Sequence, residues 1–368
     1  MKIDFLVAEN EYGSTHYFAK KFCKALERTG AQTRLFWIGE GLFYKAFYAI
    51  CNDPPDLTCS FSDITFGNKE PLGSQWHIPH LSLLIDPAVY FLHQLRGDYS
   101  LVSSVDLEDC EFIKKLGFSR AFFLPHGVDR SLRSNETERP YDIVMIGTCI
   151  DPEEVRLKWK TQFSPQQCQI LEKGAQRVLS NEGVSTLQVL LEAGIQENLP
   201  ILHHELDLYI GGKDRIDLVN ALQGLSVHVW GRGPWEKCCP KAFIHPSISY
   251  TQSLSIMKKA KIVLNSSPRF KHGSHERIFH ASACGAAVAT SESSYILRDF
   301  EKNKSLLTYS HEGWKEFRSR ILSLLNDPCR LFEMAEQGRK ITLAHHTWDH
   351  RAQELLKQLR VCKHTPKG

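Results

Sequence analysis

Along the chain, short continuous apolar runs alternate with longer segments whose apolar residues recur at helical spacing. "KIDFLVA" (2–8) is such a run and predicts a buried strand. "THYFAKKFCKALERTGA" follows with helical periodicity and ends at Gly30, and "QTRLFWI" predicts a second strand. Strand, helix and strand in that order form the opening βαβ unit of a parallel sheet. "HLSLLID" (80–86), "YSLVSSVD" (99–106) and "RAFFLPHG" (120–127) predict further strands, with the short helix "LEDCEFIKKLG" between the last two. These strands end in polar residues, Glu9, Asp86, Asp106 and His126. Ligands of open parallel sheets bind beyond the carboxyl ends of the strands, so all four are site candidates by position.

Residues 129–140, "DRSLRSNETERP", are polar and lack periodicity, which marks a linker. The strand pattern then restarts with "YDIVMIGT" (141–148), and a helical block runs from Pro152 to about Gly224. "LSVHVWGRG" (225–233), "KIVLNSS" (261–267), "AAVAT" (286–290) and "SLLTYS" are the next strands, and the tail from Trp314 to Leu359 is mostly helical. The chain therefore reads as an α/β protein of two βα domains, 1–135 and 136–345. A C-terminal helix in 346–368 is expected to pack back toward the first domain.

A length of 368 residues fits two domains, and 42% hydrophobic with 24% charged residues is ordinary for a globular protein. The formal charge of +3 gives no reason to expect nucleic acid as a partner. The longest apolar window, "HLSLLIDPAVYFLHQL", contains Asp86 and Pro87 and is too short to span a bilayer. No charged-then-apolar leader is seen at the start, and the 11 cysteines are scattered without a CxxC pair. Reduced thiols in a cytoplasmic protein are the expectation. Adjacent Cys238 and Cys239 lack metal-ligand spacing, and no metal is expected.

The densest chemistry lies in "GSHERIFHASACGAAVAT" (273–290). Gly273 and Ser274 offer a turn and an N-cap, so a helix should start near His275 and stop at Gly285. A helix N-terminus attracts anions, and Arg277 adds a guanidinium suited to phosphate. Glu276 and His280 share one helix face, and a carboxylate there can accept from sugar hydroxyls. The preceding "LNSSPRFKHGSHER" brings Asn265, Ser266, Arg269, Lys271 and His272 toward the same anion. A capped surface helix with a Glu276–Arg277 ion pair explains the stretch equally well. In "WGRGPW" (230–235), Gly231 and Gly233 permit close backbone approach, which serves a ligand or only a turn. "IGEGLF" (38–43) is an incomplete dinucleotide fingerprint and reads as a loop. No two aspartates stand two apart, so no Asp-x-Asp clamp for a metal-bound diphosphate exists. The aromatic segment "RLFWIGEGLFYKAFYAI" (34–50) is core packing or an acceptor- or membrane-facing groove.

"YDIVMIGT", "VHVWGRGPW", "SYTQSLSIMKKAKIVLNSSPR", "HERIFHASACGAAVAT" and "HHTWDHR" occur in the order seen in the C-terminal domain of CgeB-like GT-B glycosyltransferases. "FIKKLGFSRAFFLPHGVD" resembles the end of the N-terminal domain of that family and the hinge. The resemblance covers most of 80–355 and is weak before that and across 152–215. It implies two Rossmann-like domains facing across a cleft, with the sugar nucleotide held mainly by the second. Arg277, Phe279, Ala281, Ala283, Cys284 and Gly285 match the donor-helix pattern of related enzymes, whereas His280 and His272 stand where that pattern has glutamates. A His-[Asp/Glu]-Arg variant of the motif points to His275 and Glu276 instead.

The implied activity is metal-independent transfer of a sugar from a nucleotide diphosphate, a UDP-sugar above all, to a glycan, protein or lipid acceptor. No further cofactor is implied. Candidate donor-binding residues are Gly147, Gly231, Arg232, Gly233, Asn265, Ser266, Arg269, His275, Glu276, Arg277, Phe279 and His280. Candidate catalytic residues are Asp86, as general base, His126 and Glu276. Peripheral membrane contact is an open partner class. A nucleotide-sugar-binding protein without transfer, or a hydrolase or epimerase of the same fold, are the rival readings.

Overall fold

The computed structural model describes all residues except 40–42, 63, 65–69, 135, 137, 181–182 and 363–368; part of "IGEGLF" thus lies outside the described residues. The chain forms two compact units, one of Met1–Ser131, Ser249–Thr251 and Ala344–Gly368, the other of Leu132–Ile248 and Gln252–Leu343.

The first unit carries β1 (Lys2–Ala8), α1 (Ser14–Arg28), β2 (Gln32–Ile38), α2 (Phe43–Asn52), β3 (Leu57–Phe61), α3 (Leu72–Trp76), β4 (His80–Leu84), β5 (Ser100–Ser104), α4 (Leu107–Lys115) and β6 (Ala121–Phe123). Its sheet is parallel throughout, in the order β2-β1-β3-β4-β5-β6. Strand β3, "LTCSF", escapes the hydrophobic pattern because Thr58 and Ser60 interrupt it. Both are buried, and their hydroxyls lie 2.9 and 3.1 Å from the two ring nitrogens of His80 on β4. Burial pushes His80 down to about 3, so the ring stays neutral and serves the sheet. The predicted strand 99–106 shortens to β5, because Asp106 instead caps α4 by accepting from the Glu108 N–H at 2.9 Å, and 120–127 shortens to β6.

The second unit opens with β7 (Tyr141–Ile146), followed by α5 (Pro152–Gln162), α6 (Pro165–Leu179), α7 (Thr186–Glu192) and α8 (Leu199–Ala221). Then come β8 (Val227–Trp230), α9 (Trp235–Cys238), β9 (Phe243–His245), α10 (Tyr250–Lys258), β10 (Ala260–Asn265) and α11 (Glu276–Ala283). The chain continues with β11 (Ala287–Ser291), α12 (Ile296–Asp299), β12 (Leu307–Tyr309), α13 (Trp314–Leu325), α14 (Pro328–His345) and α15 (Trp348–Cys362). Its parallel sheet has the order β12-β11-β10-β7-β8-β9. From β7 the chain builds outward through β8 and β9, then returns to the other side of β7 with β10. That reversal opens a crevice at the carboxyl ends of β7 and β10, the place where such sheets bind ligands. The core below it packs Ile143, Val229, Ile262 and Leu264 against Leu218 of α8 and Phe317 of α13.

Candidate functional site

On the β7 side of the crevice, the turn Gly147–Cys149 lies against the loop that follows β8. The Gly147 N–H donates to the Trp230 carbonyl at 2.9 Å and the Cys149 N–H to the Arg232 carbonyl at 2.7 Å. The Gly147 carbonyl accepts from the Trp235 indole at 3.0 Å. A methyl on Gly231 would run into the Gly147 carbonyl, and one on Gly233 into that of Cys149. The glycines of "WGRGPW" are therefore required by backbone-on-backbone packing, and Gly233 also has φ of 92°. The Arg232 side chain points to the exposed side of this loop.

On the β10 side, Asn265 is fully buried. Its amide donates to Ser267 Oγ at 2.8 Å and Thr290 Oγ1 at 2.9 Å, which leaves Oδ1 to accept from Arg277 Nη1 at 3.1 Å. Asn265 thus aims Arg277, the second residue of α11. The cap of α11 is His275 and not Ser274, with His275 Nδ1 3.2 Å from the Arg277 N–H. The same nitrogen lies 2.8 Å from Glu276 Oε2. One ring nitrogen either accepts or donates, so these contacts are alternatives; burial depresses His275 and favours the neutral, capping form. Arg269 pairs with Asp207 of α8 at 3.1 Å, Lys271 donates to the Val178 carbonyl at 3.0 Å, and His272 lies 2.9 Å from Ser294 Oγ. Phe279 and His280 face inward: both are fully buried, and His280 Nδ1 sits 2.9 Å from the Glu276 carbonyl. These two pack the helix onto the sheet.

Helix α8 contributes two residues that the sequence pattern does not single out. Asp214 is buried, and its carboxylate accepts from Ser266 Oγ at 2.6 Å, Tyr309 Oη at 2.7 Å and His311 Nε2 at 2.7 Å. It gathers the ends of β10 and β12 onto α8. Burial alone would lower His311, but hydrogen bonds and charge from Asp214 and Asp217 outweigh it and raise the ring to about 9. Arg215, next to Asp214, donates to the Thr148 carbonyl at 2.5 Å, and its side chain runs along Gly147. Burial and the nearby charge of Arg277 lower it to about 10. Asn265, Ser266, Arg277, Gly147, Asp214 and Arg215 are thereby brought together at one crevice.

The first unit holds the other candidates. Asp86 lies half-buried beyond β4. His126 is buried in an aromatic core, its ring 5.3 Å from that of Phe18 and its carbonyl accepting from Arg351 Nε at 3.0 Å. In this unit the strand order reverses between β1 and β3, so the switch point lies at Glu9 and Ser62 and not at Asp86. Among the described residues, no group of three or more His, Cys, Asp or Glu could hold a metal ion. No helix among them is long and apolar enough to cross a membrane.

Residues 215–357 match the family model described as "Glycosyl transferase-like". No curated protein matches the chain. Among solved structures, HepE of Anabaena, in complex with UDP and glucose, is similar with a TM-score of 0.58 at 12% identity, covering 98% of this chain and 100% of that one. Sucrose-phosphate synthase from Thermosynechococcus elongatus gives a TM-score of 0.58 at 11% identity over 99% of both chains. An α-glucosyltransferase in complex with UDP-glucose and DNA containing an abasic site gives 0.61 at 11% identity, over 98% and 99%. The two parallel sheets are those of the GT-B fold. Residues 215–357 thus match a glycosyl transferase-like domain, and the chain as a whole has the fold of these solved structures.

Proposed function

We propose that the crevice between β7 and β10 binds the diphosphate of a UDP-sugar, and that the protein transfers the sugar to an acceptor hydroxyl without a metal ion. One observation carries this reading: Arg277 stands at the head of α11, held by the buried Asn265 at the switch point of the sheet. The helix N-terminus and the guanidinium stabilise the same leaving group. As the acceptor oxygen bonds to the anomeric carbon, the bond to the diphosphate oxygen breaks and its electron pair leaves with UDP. The identity of the nucleotide is supported by relatives of the same fold solved with UDP or UDP-glucose. The CgeB-like motif order, with His275 and Glu276 beside Arg277, supports placing the chain in that subfamily. Glu276 is the residue proposed to meet the sugar or ribose hydroxyls, and Arg269 to support the phosphate charge. Asp86 is the proposed base, and the cytoplasm the proposed compartment, where nucleotide sugars and reduced thiols occur together.

The acceptor side is proposed to be the first unit. Its helix α2 exposes Tyr44, Phe47 and Tyr48, a surface suited to a lipid-linked acceptor at a membrane. The test of the donor site is a thermal-shift panel of nucleotide sugars with EDTA present. A bound donor at ~100-fold over its Kd stabilises by ~2.7 kcal/mol, and Arg277→Gln should abolish the shift. A panel in which no nucleotide moves the wild-type melting temperature sinks the donor reading. A donor that binds but is never consumed would leave a binding protein.

A further inference from the structure

Arg215 makes no direct ion pair among the described residues. Among the described residues its one hydrogen bond runs from Nη1 to the Thr148 carbonyl, and its buried Nε has no partner. The neighbouring Asp214 favours the charge of Arg215 without bonding it directly, since its oxygens accept from Ser266, Tyr309 and His311. Two like charges, Arg277 and Arg269, stand close enough to disfavour its ionised form. A half-buried guanidinium with a buried, unpartnered Nε and no direct ion pair is costly to hold, which points to a ligand of opposite sign. Its place gives the ligand class. The guanidinium lies along Gly147, at the carboxyl end of β7, while Arg277 is fixed to Asn265 at the end of the adjacent strand β10.

We propose that Arg215 is a phosphate-binding residue of the donor site, seating a diphosphate oxygen against the Gly147–Thr148 turn opposite Arg277. The proposal rests on the donor reading above and adds to it a cation supplied from within a helix. Bound diphosphate would bring negative charge to both arginines.

Calorimetric titration with UDP and UMP on wild type, Arg277→Gln, Arg215→Met and Arg215→Lys separates the two ideas. Losing one charge-assisted phosphate contact should weaken UDP by about 10- to 100-fold in Arg215→Met. The preference for UDP over UMP should shrink with it, and lysine should restore part of both. A structural role predicts the opposite order of effects in the ligand-free protein. Methionine removes an unpaired charge at similar volume, so melting of ligand-free Arg215→Met should stay level or rise. If that melting temperature falls by more than about 5 °C, Arg215 is structural and the proposal is overturned. If Arg215→Met binds UDP like wild type while Arg277→Gln does not, the donor site stands and Arg215 has no part in it. If wild type fails to bind UDP, both the donor reading and this proposal fall.

Discussion

His311 owes its charge to Asp214, and that dependence makes stability a function of pH. Its folded value of about 9 stands above the ordinary 6.5. The stabilisation from the pair is therefore complete below pH ~6.5 and lost as pH rises through ~9, with a size of about 3 kcal/mol. Urea melts at intervals from pH 6 to 9.5 should show stability declining across that window. The His311→Gln protein should decline less over the same range. Equal slopes for the two proteins would rule out the pair as the cause. This ion pair could not be read from the sequence, because the three partners of Asp214 lie 52, 95 and 97 residues away. Arg277 could be read, since a helix start and a charge two residues in are local patterns. Asn265 and Ser266 were identifiable by position as strand-end residues. Their buried side chains hold Arg277 and Asp214, a role that emerges only from packing.

Elements with a clean period were visible in the chain, and those with buried polar residues were not. Strand β3 hides behind Thr58 and Ser60, and β9 is only three residues long. The helical block 152–224 was recognisable as helix, but nothing in its period shows that α8 turns Asp214 and Arg215 toward the strand ends. Within the aromatic segment 34–50, α2 has a core-facing side and an exposed side. Ala46 and Ile50 of α2 face the core, while Tyr44, Phe47 and Tyr48 are 75%, 39% and 70% exposed beside exposed Lys45. The helix sequence "FYKAFYAICN" holds no acidic residue, so its outer face combines aromatic rings with a cation, the chemistry of a bilayer interface. Sedimentation with vesicles containing anionic lipid should retain the wild-type protein. Tyr44→Ser with Tyr48→Ser should cut partitioning by about tenfold while leaving the UDP-dependent thermal shift unchanged. Undiminished binding of the double variant would clear α2 of any membrane role.

At the scale of the molecule, the chain returns to its first unit at the end. The bound at Ser131 lies close to the polar linker, but Ala344–Gly368 and Ser249–Thr251 also belong to that unit. Trp348, only 2% exposed, packs its ring 5.2 Å from Phe22, 5.8 Å from Phe18 and 6.2 Å from Phe61. The Val128 N–H donates to the His346 carbonyl and the Trp348 N–H to that of Val128, both at 2.9 Å. Asp349 takes a two-pronged bond from Arg28 at 2.6 and 2.8 Å. Removing a buried tryptophan alone costs about 3–5 kcal/mol, a large part of the ~5–15 kcal/mol that holds a domain. Residues 1–131 expressed alone should therefore lack a cooperative urea transition, and a synthetic peptide of residues 344–362 should restore one. Residues 132–343 contain all of the second unit, including α8 and α11. That fragment should melt cooperatively by itself and, if the donor site is as proposed, show the UDP-dependent shift. A cooperative transition in 1–131 without the peptide would mean that α15 is an addition to the first unit and not part of its core.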